Sequence, residues 1–167
     1  MAAFGKRARH VRLAVFDVDG VFTDGTLWIG PDGREIAKGF NILDGHGVKM
    51  LQAGGVRTAI ITGRRSLAVE ARAKELDMGE VIQGAADKVK ALERLLRKHK
   101  LDAAECSYMG DDLPDLEVLK RCGVAAAPAN AVAAVKRVAH LVTRASGGRG
   151  AVREFCERLL EARGRAK

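Results

Sequence analysis

Short apolar runs rich in Val and Ile alternate along the chain with stretches in which apolar residues recur every three or four positions. The first pattern is typical of buried strands and the second of amphipathic helices. The apolar runs predict strands at 11–16, 56–61, 80–83, 106–110, 123–127 and 141–143. The other stretches predict helices near 45–53, 66–76, 87–99, 114–121, 130–138 and 150–162. This alternation is the pattern of βαβ units and predicts an α/β fold with a mostly parallel sheet.

The segment after the first predicted strand breaks this alternation. A Gly-Pro-Asp-Gly turn at 30–33 stands between the runs TLWI and REIAK. Such a turn between two short runs predicts a β-hairpin inserted at about 21–39. Apolar side chains of a hairpin are unfavourable when exposed to water, so we expect Trp28 to lie in an interface with another surface.

Length and composition predict a single domain over residues 1–167. The apolar fraction of 47% and the charged fraction of 30% are ordinary for a globular protein of this length. No apolar run approaches the ~20 residues of a membrane span, and no apolar stretch follows the basic N-terminus as in a secretory signal. The three cysteines form no CxxC pair, which argues against a disulfide framework and a zinc site. We therefore expect a cytoplasmic protein with no membrane partner.

The net charge of +8 lies at the two ends of the chain. Residues 1–12 hold four basic and no acidic side chains, and residues 144–167 hold seven basic and three acidic ones. The remaining 18 basic and 18 acidic side chains balance, so the body of the chain is neutral. Aromatic residues make up only 4%. Because the body of the chain is neutral and few aromatic side chains are available for stacking on bases, we expect no nucleic-acid partner.

Polar side chains follow three of the predicted strands at the point where each ends. They are Asp17 and Asp19 after the first strand, Thr62 and Arg64 after the second, and Asp111, Asp112 and Asp115 after the fourth. Lys88 lies in the first turn of the helix that follows the third strand. Because the carboxyl ends of parallel strands meet at one edge of the sheet, we expect all eight side chains to converge there.

Such a cluster suits phosphoryl transfer. Carboxylates that lie close together raise one another's pKa unless a cation is bound between them, and Mg²⁺ prefers oxygen ligands. Lys88 and Thr62 can hold the phosphate oxygens. Asp17 can then attack phosphorus, while Asp19 protonates the leaving oxygen and later deprotonates water. The residues therefore predict a Mg²⁺-dependent phosphatase.

In this order, the motifs Asp17-x-Asp19-Gly20, Thr62, Lys88 and Gly110-Asp111-Asp112-x-x-Asp115 resemble those of the haloacid dehalogenase superfamily. The resemblance implies a three-layer sandwich of Rossmann-like type around the sheet. It also implies roles, which are Asp17 as nucleophile, Asp19 as general acid and base, Thr62 and Lys88 as phosphate ligands, and Asp17, the Asp19 carbonyl and Asp111 as Mg²⁺ ligands. Asp112 and Asp115 would orient Lys88 or metal-bound water, although both are also typical of acids at a helix N-terminus.

Longer signatures narrow the resemblance. They are DVDGVFTDG at 17–25, FNILDGHG at 40–47, ITGR at 61–64, GDDLPD at 110–115 and TRASGGRGAVRE at 143–154. Together with the hairpin they resemble the 3-deoxy-D-manno-octulosonate 8-phosphate phosphatase family. This resemblance implies a homotetrameric enzyme of lipopolysaccharide biosynthesis, with hairpins packed together and a C-terminal segment near 144–149 covering a neighbour's site. The gaps between motifs are too short for a cap domain.

The same resemblance implies the contacts of a phosphorylated sugar acid. Besides Asp19 and Lys88, the contacting residues would be Asn41, Asp44, Gly45, Lys49, Arg64 and Arg72. From position alone, the two arginines are equally typical of an exposed helix surface.

Three other functions stay open at this point. Many members of the family have Arg where this chain has Leu43 and Lys49, which loosens the argument for the octulosonate substrate. A nonulosonate 9-phosphate phosphatase is the nearest alternative, since a related branch shares the same motifs. An inactive assembly module, of the kind fused to sugar-acid cytidylyltransferases, would have no need of five mutually repelling carboxylates. A nucleic-acid 3′-phosphatase would use the open site and the basic ends.

Overall fold

The computed structural model describes residues 2–164, with side chains from residue 4 onward. The last three residues of the basic C-terminal segment at 144–167 therefore lie outside it. The strands of this part of the chain are β1 (Leu13–Phe16), β2 (Trp28–Ile29), β3 (Glu35–Ala37), β4 (Arg57–Ile61), β5 (Glu80–Ile82), β6 (Cys106–Met109), β7 (Val124–Ala127) and β8 (Leu141–Val142). Its α-helices are α1 (Ala2–Ala8), α2 (Ile42–Ala53), α3 (Leu67–Glu75), α4 (Lys88–His99), α5 (Leu116–Arg121), α6 (Ala133–Val138) and α7 (Ala151–Ala162).

Six strands form the central sheet in the order β5-β4-β1-β6-β7-β8, and every neighbouring pair is parallel. The predicted α/β fold and all six predicted strands are therefore confirmed. From β1 the chain builds the sheet toward β5, then crosses back and builds the other half from β6. The strand order thus reverses between β1 and β6, which is where parallel α/β sheets place their ligands.

Helices cover both faces of the sheet, because the side chains of β1 alternate between two apolar layers. Ala14 and Phe16 pack in one layer with residues of α1, α2, α3 and α7. Leu13 and Val15 pack in the other with residues of α4, α5 and α6. The arrangement is the predicted three-layer sandwich, and β1 is buried along its whole length.

The predicted hairpin forms from β2 and β3, which pair in antiparallel orientation. Its turn is closed by a hydrogen bond from Gly30 N to Arg34 O of 2.8 Å. The paired strands are shorter than TLWI and REIAK, because the register shifts between Trp28 and Ile29. Between β1 and β4 the described chain holds only this hairpin and α2, in agreement with the prediction that no cap domain is inserted there.

The sequence predicted no helix or strand in the basic N-terminus, but the structure has a helix there. Residues 2–8 form α1, whose Phe4 and Ala8 side chains are buried in the layer that also holds α7. The short run AAFGKRA lacks the repeated apolar spacing by which longer helices are found, so its burial depends on contacts with distant residues. Among the described helices, none is both long and apolar enough to cross a bilayer.

The Phe155 side chain of α7 fixes the packing of this layer, since its ring lies edge-on to Phe16 with centroids 6.1 Å apart. We expect Phe155→Ala to lower the free energy of unfolding by about 3–5 kcal/mol, as is usual for aromatic truncation in a core. Urea denaturation followed by circular dichroism measures this loss. The control Leu113→Ala, at an exposed position, should change it by no more than about 0.5 kcal/mol. Equal losses in the two variants would contradict this packing.

Candidate active site

A cavity of about 840 Å³ opens at the carboxyl ends of β1, β4 and β6, beside the reversal of strand order. All eight polar residues that the sequence places after strand ends or in the first turn of α4 line it, namely Asp17, Asp19, Thr62, Arg64, Lys88, Asp111, Asp112 and Asp115. The predicted convergence is therefore what the structure has. The roles assigned to the individual residues stay predictions.

Lys88 lies at the centre of this cluster, where its ammonium group bridges two carboxylates. Its Nζ is 2.9 Å from Asp17 Oδ2 and 2.7 Å from Asp115 Oδ1. Burial opposes the charged ammonium, but the charges of Asp17 and Asp115 outweigh it and raise the pKa of Lys88. Lys88 is therefore a fixed positive charge beside Asp17. Asp87, whose side chain accepts a hydrogen bond of 3.0 Å from Lys90 N, starts the helix that presents it.

Oxygen atoms of Asp17, Asp111 and Asp115 lie within 4.8 Å of one another, close enough to share a metal ion. Burial, and then repulsion by Asp115, raises the pKa of Asp17 to about 6 despite Lys88. Burial, and then repulsion by Asp17 and Asp115, raises the pKa of Asp111 to about 7. Carboxylates that resist ionisation in this way gain most from a bound cation. This oxygen-only set fits Mg²⁺.

Asp115 is the internal anchor of the loop after β6. Its Oδ1 accepts a hydrogen bond of 2.8 Å from the buried Tyr108 hydroxyl, and its Oδ2 accepts one of 3.1 Å from Asp111 N. A Cβ atom on Gly110 would lie 2.5 Å from Asp115 Cγ, so only glycine lets this carboxylate fold back over the strand end. Asp115 thus holds Lys88 on one side and the backbone of Asp111 on the other.

The loop after β1 has a similarly tight construction. Gly20 has a φ of +82°, a conformation that favours glycine, and a Cβ there would overlap Asp111 Oδ2. The Thr23 hydroxyl accepts hydrogen bonds from Gly20 N at 3.4 Å and Gly25 N at 3.2 Å. The conformation of this loop brings the segment that carries Asp17 against Asp111.

Asn130 ties this loop to the segment before α7, and sequence reasoning missed it. Its Nδ2 donates a hydrogen bond of 3.0 Å to Gly20 O, and its Oδ1 accepts one of 2.7 Å from Gly147 N. The same segment makes a backbone hydrogen bond of 3.0 Å from Gly148 N to Val21 O. Residues 147–148 therefore pack on the loop after β1 of the same chain. No motif marks Asn130, which could be found only from its tertiary contacts.

Asp19 lies at the mouth of the cavity and is contacted by two basic side chains. Arg64 Nε is 3.7 Å from Asp19 Oδ2, and Lys38 Nζ contacts Asp19 Oδ1. Lys38, which follows β3 of the hairpin, is a second residue that the sequence did not single out. A lysine beyond a hairpin strand carries no distinguishing pattern, so its position beside Asp19 appears only in the folded chain.

Five of the six sugar-acid contacts implied by resemblance lie outside this cavity in the single chain, in α2 and α3 or at the N-cap of α2. Asn41 caps α2 by accepting a hydrogen bond of 2.8 Å from Leu43 N. The fully buried Asp44 accepts hydrogen bonds from Gly150 N at 3.3 Å and Arg153 N at 2.9 Å. Its carboxylate is thus occupied by the start of α7.

The other three of these residues also make contacts within the chain. Arg72 donates to Asn41 O at 3.4 Å and pairs with Glu75 at 2.8 Å, and a Cβ on Gly45 would overlap its guanidinium. Lys49 pairs with Asp77, which lies between α3 and β5. Of the six, Arg64 alone lines the described cavity. The remaining substrate contacts stay predictions.

Comparison with known proteins agrees with this geometry. Residues 74–155 match the haloacid dehalogenase-like hydrolase family. The 3-deoxy-D-manno-octulosonate 8-phosphate phosphatase KdsC of Yersinia pestis is 42% identical over 94% of this chain and 83% of its own length. The chain belongs to the 3-deoxy-D-manno-octulosonate 8-phosphate phosphatase family.

Solved structures of similar proteins support the same membership. A probable YrbI family phosphatase from Pseudomonas syringae is 51% identical, with a TM-score of 0.96 over 99% of this chain and 93% of its own. The octulosonate 8-phosphate phosphatase of Moraxella catarrhalis is 40% identical, with a TM-score of 0.95 over 98% of this chain and 94% of its own. That structure holds a magnesium ion, a phosphate ion and a KDO molecule. As a member of this family, the chain is a phosphatase.

The carboxylate cluster leads to a prediction about stability. Because Asp17 and Asp115 repel Asp111, we expect Asp111→Asn to be at least as stable as the unaltered phosphatase without divalent metal. Mg²⁺ at about 100 times its Kd should stabilise the unaltered protein by about 2.7 kcal/mol, which raises Tm by roughly 5–10 °C. Asp111→Asn should lose most of this rise.

Thermal unfolding with and without Mg²⁺ measures both effects. The control Glu93→Gln alters an exposed carboxylate that pairs with Arg121 and should keep the full rise. If Mg²⁺ raises Tm equally in Asp111→Asn and the unaltered protein, the metal does not bind at this cluster.

Proposed function

We propose that the chain is a Mg²⁺-dependent phosphatase that releases inorganic phosphate from a phosphorylated sugar acid, with 3-deoxy-D-manno-octulosonate 8-phosphate as substrate. The observation that carries the mechanism is the contact between the Lys88 ammonium and the Asp17 carboxylate at 2.9 Å, beside two further carboxylates. A positive group next to a carboxylate nucleophile is what an incoming phosphate dianion requires. The substrate assignment is supported by the names of the relatives from Yersinia pestis and Moraxella catarrhalis.

In the first half-reaction, Lys88 and the Thr62 hydroxyl would hold the phosphoryl oxygens while an Asp17 carboxylate oxygen attacks phosphorus. The bond from phosphorus to the ester oxygen breaks as the bond to Asp17 forms. Asp19, in its protonated form, donates its proton to the departing oxygen, so the sugar acid leaves with its hydroxyl group restored. Asp17, Asp111 and the Asp19 carbonyl would hold Mg²⁺, which supplies charge neutralisation at the phosphoryl oxygens.

In the second half-reaction, water attacks the phosphorus of the Asp17 acyl phosphate. The Asp19 carboxylate takes a proton from this water, and the bond between phosphorus and Asp17 breaks. Inorganic phosphate is released, Asp17 returns to a carboxylate and Asp19 is again protonated. The geometry that supports this cycle is that Asp17 and Asp19 line one cavity with Thr62 and Lys88.

The purified chain should therefore release phosphate from the eight-carbon substrate in the presence of Mg²⁺. Asp17→Asn replaces the attacking carboxylate by an amide of the same shape, so we expect kcat to fall by at least about 10⁴-fold. Steady-state phosphate release measures the loss. The control Asp102→Asn changes an exposed acid outside the cavity and should leave kcat unchanged. Magnesium-dependent turnover that survives Asp17→Asn would refute the mechanism.

A nonulosonate 9-phosphate is the second candidate substrate, because this chain has an exposed Leu43 where the resemblance to octulosonate 8-phosphate phosphatases implies Arg. The same assay with both sugar acids separates the two. A higher kcat/KM for the nine-carbon acid would replace our substrate while leaving the phosphatase mechanism in place.

We also propose that the enzyme acts in the cytoplasm as a homotetramer assembled through its hairpins. The hairpin supports this, since Trp28 is 57% exposed and Ile36 is 66% exposed in the single chain. Leu27 and Ile29 are exposed as well. Several large apolar side chains exposed on one short element are typical of a protein interface. In such an assembly, a neighbour's C-terminal segment near 144–149 would cover a cavity that no cap domain covers.

The hairpin surface predicts that a charged substitution prevents assembly. We expect Trp28→Glu to shift the molar mass in solution from that of a tetramer to that of a smaller species, because the interface would have to bury an unpaired carboxylate. Light scattering after size-exclusion chromatography measures the mass. The control Leu113→Glu alters an equally exposed leucine away from the hairpin and should keep the tetramer. An unchanged mass for Trp28→Glu would contradict hairpin-mediated assembly.

A further inference from the structure

Lys38 is a buried lysine whose ammonium group contacts the carboxylate assigned above to acid and base catalysis. Its side chain is only 1% exposed. Nζ contacts Asp19 Oδ1 and lies 3.1 Å from Glu35 Oε2. Arg64 approaches the same two acids from the cavity side, at 3.7 Å from Asp19 Oδ2 and 3.5 Å from Glu35 Oε2. Two basic and two acidic side chains thus form a closed group between the hairpin and the cavity.

Glu35 holds Lys38 in place from the hairpin side. Burial opposes ionisation of Glu35, yet hydrogen bonds from Ser66 and Lys38, together with the charges of Lys38 and Arg64, outweigh it and lower the pKa of Glu35. The Ser66 hydroxyl donates to Glu35 Oε1 at 2.6 Å. Ser66 stands at the N-terminus of α3, but its side chain makes no cap hydrogen bond there. Glu35 is therefore an anion fixed to the start of α3.

A buried ammonium is costly unless it is paired, so Lys38 cannot leave this position without losing both partners. The group consequently fixes the Asp19 carboxylate as well as Lys38. An ammonium only donates hydrogen bonds, so Lys38 engages Asp19 Oδ1 as an acceptor and restrains the orientation of the carboxylate. Oδ2 lies 3.7 Å from Nε of Arg64, which lines the cavity.

We propose that Lys38, held by Glu35, is a positioning residue that fixes the orientation of the Asp19 carboxylate for proton transfer to the leaving oxygen. The inference rests on the proposed phosphatase function and adds a role for the hairpin to it. Lys38 does not line the cavity and acts on the substrate only through Asp19. Its loss should therefore slow proton delivery to the leaving oxygen and leave attack by Asp17 largely intact.

Two aryl phosphates distinguish this role from general support of the fold. Phenyl phosphate and p-nitrophenyl phosphate are similar in shape, but phenolate is the more basic leaving group and depends more on protonation. The kcat/KM value reports the steps up to departure of this group. Since general acid catalysis contributes about 10²–10⁴-fold, we expect Lys38→Met to lower kcat/KM by about 10- to 100-fold for phenyl phosphate and by no more than about threefold for p-nitrophenyl phosphate.

Matched variants complete the experiment. Lys98→Met removes a lysine that pairs with Glu80 at 2.7 Å outside the cavity and should leave both kcat/KM values unchanged. Lys38→Arg keeps a donor beside Asp19 and should restore part of the loss on phenyl phosphate. Glu35→Gln removes the charge that holds Lys38 and should lower kcat/KM selectively for phenyl phosphate, by a smaller factor.

Equal losses on the two esters in Lys38→Met would overturn the positioning role. If circular dichroism shows that Lys38→Met does not fold, Glu35→Gln decides by the same comparison, and equal losses there have the same meaning. Failure of the proposed function gives a different result, because the unaltered chain would then hydrolyse neither aryl phosphates nor sugar-acid phosphates with Mg²⁺.

Discussion

The active site depends on a single buried ammonium group among carboxylates that repel one another. Lys88 bridges Asp17 and Asp115, while Asp111 lies close enough to share a cation with both. Three ionised carboxylates and one ammonium leave two negative charges without a partner, and a divalent cation supplies the matching charge. Until it binds, the raised pKa values of Asp17 and Asp111 show that the cluster resists full ionisation. Lys88 neutralises part of the negative charge of the carboxylates, and the remaining negative charge favours binding of a metal cation.

Close backbone packing at the strand ends holds this unfavourable arrangement together. Strands β1 and β6 are neighbours in the sheet, so the loops that follow them begin side by side. Gly20 and Gly110 then allow Asp111 and Asp115 to approach backbone that any larger residue would block. The segment at 147–148 packs against the loop after β1, and Asn130 links the two by hydrogen bonds. The energy that the sheet gains by burying apolar residues thus offsets the repulsion at its edge.

Features set by local pattern could be predicted from the sequence. The apolar runs gave the six parallel strands, and residues placed directly after strand ends, such as Asp17 and Thr62, could be assigned to one edge without knowing any other contact. Features that arise only from tertiary contacts could not. Helix α1 is too short to show a period, Asn130 reaches the site from a segment far along the chain, and Lys38 reaches it only because the hairpin folds back on Asp19. For Asp44 the sequence suggested a role that its contacts do not show. Its motif indicated substrate binding, but its carboxylate accepts hydrogen bonds from Gly150 and Arg153 at the start of α7.

The hairpin connects these two kinds of feature, since it contributes both to the site and to the exposed surface. Its Glu35 holds the Lys38 that contacts Asp19, while its Trp28 and Ile36 are exposed. A two-stranded hairpin gains little stability by itself, so what covers its exposed residues also affects how firmly Glu35 and Lys38 are held. Under the proposed assembly, association would stabilise the hairpin that positions Asp19, and the order of the catalytic acid would be coupled to subunit contact. A phosphatase without a cap domain could in this way restrict efficient proton transfer to the assembled enzyme.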